Sequence, residues 1–219
     1  MISDLSQYVN MNDPVLALFS LVILIFSAVI HEVSHGSVAY ALGDPTAKMQ
    51  GRLTLNPIPH LDPMGSVVIP ALMFFAQIPF IFGYAKPVPY NPRMLSNKKW
   101  GDTWVAAAGP GSNIALALLL SGVYQLLPVF ISQQTIAPLE PLFTIAIGIN
   151  IMLALINLIP VPPLDGSKIL LPFLPYSWQS TIRQTAFGPY RLMFMLLFLF
   201  FILPIISRIV LFFMNLLMM

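Results

Sequence analysis

The chain has 219 residues, of which 58% are hydrophobic and only 8% charged. A water-soluble domain carries about 25% charged residues, so this composition excludes a soluble fold and makes lipid the solvent. The net charge of +2 is scattered, which excludes a partner recognised through its phosphates, so no nucleic acid is expected. With no cysteine, disulfides and thiolate ligands are excluded, and any metal site must draw on His, Asp, Glu or backbone oxygen.

In chain order, the stretch before residue 14 has no Lys or Arg. A secretory leader begins with positive charge, so the first apolar run is expected to be retained. About 20 consecutive apolar residues make a membrane span. By that measure the spans are about 14–42, 64–82, 103–130, 141–160 and 190–217, the second holding Pro70 and Pro79 and the last interrupted at Pro204, Ser207 and Arg208. Between them, 50–56 (QGRLTLN) alternates polar and apolar residues, and 85–90 (AKPVPY) is broken by proline as an edge strand would be. The expected fold is an all-α polytopic membrane protein over 1–219, a single integral domain. It has about four to six transmembrane or re-entrant helices, with short β-strands beside its polar centre.

Positive residues mark the cytoplasmic side. They lie in 43–63 (Lys48, Arg52), 83–102 (Lys86, Arg93, Lys98, Lys99) and 160–189 (Lys168, Arg183), while the N-terminal stretch and 131–140 have none. Both flanks of 64–82 are thus positive, which predicts that this segment enters and returns. The alternative is a plain span with a positive outer loop.

The informative motif is His31-Glu32-Val33-Ser34-His35, at the end of the apolar run LVILIFSAVI. Residues four apart share a helix face, so both imidazoles can address one zinc ion. Glu32, one step round, is placed to take a proton from a water there, the pattern of a metalloprotease. Two of the chain's three His and one of its two Glu fall in these five positions. At membrane depth each ionisable residue costs about 2.5–3.5 kcal/mol on insertion scales, so the cluster needs a compensating partner.

A catalytic zinc usually has three protein ligands and an open position. Candidates for the third are His60, Asp62, Asp102, Glu140 and Asp165. Asp165 is favoured: it follows an apolar helix opened by Pro160, Pro162 and Pro163, and the fourth span runs in the same sense as the first. Both would carry their polar ends at one depth. The competing role is an N-cap for a helix beginning at Gly166.

HEVSH on a membrane helix, AAGPGSN (107–113) opening another and NLIPVPPLDG (157–166) ending a third resemble the site-2 protease family of intramembrane zinc metalloproteases. LNPIPHLDPMG (55–65) and FGYAKPVPYNP (82–92) resemble its compact bacterial branch, without a PDZ or CBS domain. The resemblance implies that His31, His35 and Asp165 hold one zinc ion and that Glu32 is the acid/base. Asn113 and Asn157 match family positions near the site and are assigned here as catalytic donors to a developing oxyanion, the competing role being helix–helix hydrogen bonding.

The expected activity is hydrolysis of peptide bonds within or near transmembrane segments. The expected partners are a transmembrane protein or peptide substrate and the lipid bilayer. The location is a cell inner (plasma) membrane, with the site toward the cytoplasm. A substrate helix could be held unwound by adding a strand to 50–56 or 85–90. The rivals are a metal transporter, which needs further ligands along a path, and an inactive relative that binds helices without cutting them. His60 and Asp62 have no assigned role, and the oligomeric state is not encoded in any visible motif.

Overall fold

The computed structural model describes residues 13–69, 71–72, 85–175, 177–180 and 191–218, with backbone alone at 67 and 191–200. Whether 64–82 enters and returns falls mostly on 70 and 73–82, outside the described residues.

The first helix, α1 (Pro14–Ala41), starts where its sequence dictates. The Asp13 carboxylate accepts from Val15 N–H at 2.8 Å, and Pro14 fills the first helical position, where no N–H is needed. It stops at Gly43, whose φ of +100° only glycine adopts freely. Gly43 N–H then returns to Tyr40 O and Asp44 N–H to Ala39 O, closing the last carbonyls of the helix. A short α2 (Thr46–Met49) follows, then the long α3 (Gly101–Phe130), α4 (Gln133–Ile136), α5 (Glu140–Asn157), α6 (Asp165–Leu170) and α7 (Arg191–Met218).

Four helical runs among the described residues are long and apolar enough to cross a bilayer: Pro14–Ala41, Gly101–Phe130, Gln133–Asn157 and Phe201–Met218. Their burial pattern is that of a lipid-solvated bundle. Val15, Leu18, Val22 and Phe26 of α1, Leu118 and Leu119 of α3, and Phe201 and Phe212 of α7 face outward, whereas Ser27, His31, His35, Asn113, Thr144 and Asn150 are buried. In hydrocarbon an unpaired polar group is costly, so polar side chains collect inside where they can pair. The central helix α3 packs against α1, α5, α6 and α7. Ala117 of α3, Ile147 and Ile151 of α5, and Ile206, Val210 and Met214 of α7 form one apolar core.

At the end of α1 that carries the HEVSH motif, 42–62 and 85–100 form a loop layer. Asp44 anchors it: fully buried, its carboxylate accepts from Thr46 N–H at 3.0 Å, from the Thr46 hydroxyl and from Asn91 N–H. Ser96 N–H donates to Leu42 O at 2.8 Å, and Lys86 N–H to His60 O at 2.7 Å. Burial alone would raise the Asp44 carboxyl, but these donors outweigh it and hold it below the usual carboxylate range.

The helical architecture is as expected, but the short strands are not: no strand forms among the described residues. In 50–56 the alternation is deceptive. Gly51 N–H turns back to Lys48 O and Arg52 N–H to Ala47 O, so the segment begins as the exit from α2. In 85–90, Pro87 and Pro89 have no N–H to give a ladder, and the Arg52 guanidinium takes the Lys86 carbonyl at 2.8 Å. The segments meet through a side chain where a strand pair would meet through backbone.

Candidate metal centre

His31 and His35 lie one turn apart on the buried face of α1, 6% and 8% exposed, with ring centroids 4.6 Å apart and planes at 86°. Their far nitrogens are both held by α3. His31 Nδ1–H donates to Asn113 Oδ1 at 2.7 Å and His35 Nδ1–H to the Val105 carbonyl at 2.6 Å. With the ring protons committed there, each Nε2 presents its lone pair to the same point.

Asp165 closes the group. Its Oδ2 stands 3.1 Å from His31 Nε2 and 3.1 Å from His35 Nε2. The N-cap of α6 is Leu164, not Asp165, and the Asp165 side chain makes no capping bond. The residue is instead buried, with its carboxylate turned toward the two rings.

Two imidazole lone pairs and a carboxylate facing one another repel unless a cation joins them. Their ligand atoms all lie within 4.8 Å of one another. Tetrahedral zinc with N and O ligands at about 2.0–2.2 Å sets its ligand atoms about 3.3–3.5 Å apart, so the donor set fits that ion in both chemistry and spacing.

The close approach of α3 depends on Gly109. A Cβ there would stand 2.5 Å from His31 Nε2 and closer still to His35 Nε2. One turn on, Asn113 is fully buried and completely engaged. Besides accepting from His31, it donates through Nδ2 to Asn150 Oδ1 at 2.9 Å and to Ser27 O at 3.3 Å. Both polar atoms of the Asn113 side chain are therefore engaged within the bundle, its oxygen by the His31 ring. Asn157 donates to Leu153 O in its own helix at 2.9 Å, and no hydrogen bond among the described residues joins it to the group.

Glu32 lies on the flank of α1, half-buried, and its Oε2 accepts from Val88 N–H at 2.8 Å. The other candidate ligands are elsewhere. Asp62 caps the short π-helix Pro63–Val68 by accepting from Met64 and Gly65 N–H. Asp102 accepts from the Tyr90 hydroxyl, and Glu140 is exposed at the start of α5. His60 is fully buried in the loop layer with Nε2 against Thr54 O at 3.0 Å. Burial, aided by the Arg52 charge, outweighs the Thr54 bond and the Glu32 charge and holds its pKa below the ordinary imidazole value.

Sequence reasoning missed Asn150, the Val105 carbonyl, Gly109 and the Val88 amide. Gly109 carried a visible signal, a Gly-Pro pair inside a helical run, and Asn150 another, an amide inside an apolar one.

The model of Peptidase family M50 matches residues 126–202, which hold α5 and Asp165. "Putative zinc metalloprotease YwhC" of Bacillus subtilis is 38% identical over 169 residues, covering 76% of this chain and 74% of that protein. "Putative zinc metalloprotease Rip2" of Mycolicibacterium smegmatis is 29% identical over 155 residues, and its namesake in Mycobacterium tuberculosis 30% over 152. The chain spans 55% and 54% of the length of those two relatives. No solved structure matches it. With 38% identity across three quarters of a relative, and a zinc-compatible His-His-Asp group inside a membrane bundle, the chain belongs to peptidase family M50 as a zinc metalloprotease of the site-2 type.

Proposed function

We propose that this protein hydrolyses peptide bonds within or near transmembrane segments of membrane-protein substrates, with His31, His35 and Asp165 holding one zinc ion and Glu32 serving as general base. The observation that carries the reading is that His31 Nε2 and His35 Nε2 each stand 3.1 Å from Asp165 Oδ2, with a carboxylate one residue from His31. Zinc in such a site lowers the pKa of a water and polarises a peptide carbonyl.

The rest is the work of side chains. The Nδ1–H bonds to Asn113 and Val105 fix both rings, so little ring motion is left to freeze in the transition state. Glu32 takes the proton of the attacking water on a carboxylate oxygen and returns it to the leaving amine nitrogen. Val88 N–H holds Oε2, and in this reading Oε1 is the oxygen that takes the proton. Asn113 acts through His31, and Asn157 keeps its proposed role as a donor to the developing oxyanion.

The site faces the cytoplasm of a cell inner membrane in this reading. Lys48, Arg52, Lys86, Arg93, Lys98 and Lys99 all belong to the loop layer at its end of the bundle, whereas 131–140 has no Lys or Arg. The test is cleavage of a single-span substrate in detergent or bilayer by the wild type and by Glu32→Gln. The variant is expected to keep its zinc and lose about 10²–10⁴ in turnover. Equal cleavage by both would remove Glu32 from the mechanism.

A further inference from the structure

The general base is held by a single peptide group, and that group is itself held by a buried cation. The N–H of the Pro87–Val88 peptide donates to Glu32 Oε2 at 2.8 Å. The carbonyl of the same peptide, Pro87 O, accepts from Arg52 Nη2 at 3.4 Å, while that nitrogen also donates to Lys86 O at 2.8 Å. In a trans peptide the C=O and N–H point in opposite directions. Guanidinium, peptide dipole and carboxylate therefore stand in line, positive to negative.

The surroundings leave this peptide little freedom. Pro87 and Pro89 fix their own φ and keep Lys86 and Val88 extended. Neither proline has an N–H, so Val88 supplies the only backbone donor between Lys86 and Tyr90, and Lys86 N–H is committed to His60 O at 2.7 Å. Arg52 is 8% exposed, and Val88 is 5% exposed. One turn beyond Glu32 on the same face of α1, Gly36 lets the segment lie flat. A Cβ there would stand 2.8 Å from Val88 Cγ1 and 2.6 Å from Leu53 Cδ2.

We infer that Arg52 is a positioning residue for the hydrolytic reaction, acting on Glu32 through the Pro87–Val88 peptide. Its charge draws electron density toward the Pro87 oxygen, which makes Val88 N–H a stronger donor to the carboxylate. Its two-carbonyl grip fixes the direction in which that N–H points. The inference rests on the reading of Glu32 as general base. It assigns a function to a buried charge that the metal centre does not use.

The test uses the full zinc-loaded chain in detergent and a single-span peptide with a fluorophore and a quencher on opposite sides of the span. Arg52→Met is expected to lower kcat about 10–100-fold, with KM changed less than about two-fold and the zinc content unaltered. Arg52→Lys, which keeps the charge but loses the fork, recovers part of that kcat. Val88→Pro deletes the N–H and should match Arg52→Met, while Val88→Ala, which keeps the N–H and loses packing, should lose less.

Because both sites act on one peptide, the double variant Arg52→Met/Val88→Pro should be no slower than the slower single. A product of the two losses would overturn the inference. So would a raised KM at unchanged kcat in Arg52→Met. If Val88→Pro does not fold, the kcat-against-KM split of the two Arg52 variants decides alone. Glu32→Gln separates the two readings. If it cuts like the wild type, the general base is wrong. If it is inactive while Arg52→Met is unimpaired, only the role of Arg52 falls.

Discussion

The two halves of the site are built by different means. On the metal side every group is set by helix against helix: His31 and His35 from α1, Asn113 and the Val105 carbonyl from α3, Asp165 from α6. On the side of Glu32 the support comes from the loop layer, where a backbone N–H, a buried Arg52 and a buried Asp44 carry the load. Helices fix a metal site to within the tolerance that coordination demands, because close-packed interiors deform little. A loop layer can be disturbed without dismantling the bundle. Metal binding and proton transfer should therefore be separable by substitution.

The sharpest way to break this division is Asp165→Ala. It removes the one carboxylate of the proposed ligand set and leaves the two imidazoles. Zinc content is expected to fall from stoichiometric to background by elemental analysis, with activity lost in parallel, while the bundle still purifies as a folded species. A variant that kept its zinc would place the third ligand elsewhere, and the metal side would no longer be a purely helical construction.

Asn113→Ala probes the same side more gently. It frees His31 Nδ1 and removes the Asn150 link. Outer partners of ligating histidines are worth about 10–100-fold in metal affinity. The expected result is that shift in zinc dissociation, measured by competition with a chelator, with cleavage restored by excess zinc. If zinc affinity is unchanged and kcat falls instead, Asn113 addresses the substrate and the oxyanion role returns.

How much of this was legible depended on scarcity. In a chain with 8% charged residues, each polar residue in an apolar run is conspicuous, and His31, His35 and Asp165 could be singled out with a definite chemistry. Asn113 was conspicuous too, but an amide can serve a ligand or a substrate, and only the direction of its Oδ1 decides. Groups that act through backbone left almost no trace. The Val105 carbonyl and the Val88 N–H are available in any sequence, and what selects them is a contact 70 or 56 residues away. The strands failed for a related reason. Period-two alternation in 50–56 came from a helix exit followed by a turn, and the backbone groups of 85–90 are engaged by Glu32, Arg52 and His60.

The smallest expected effect tests the loop side through pH. The folded-state pKa of Asp44 is depressed: burial works against ionisation, but the donors from Thr46 and Asn91 outweigh it. A depressed carboxyl contributes stability above its unfolded pKa, about 3.9, and loses that contribution as pH falls through the folded value. Asp44→Asn keeps the shape and removes the charge, so it should lower the unfolding midpoint in detergent by a few degrees near pH 7. The gap to wild type should narrow as pH falls below about 4. Zinc content should not change at neutral pH, because Asp44 touches α2 and the 91 segment and none of the ligands. Glu32 should notice: Asn91 lies three residues after Val88, so loosening it slackens the segment that donates Val88 N–H to the Glu32 carboxylate. A modest fall in kcat with full zinc occupancy would thus mark the loop layer as the catalytic half of the support. A loss of zinc instead would mean that the layer and the helices hold the metal jointly.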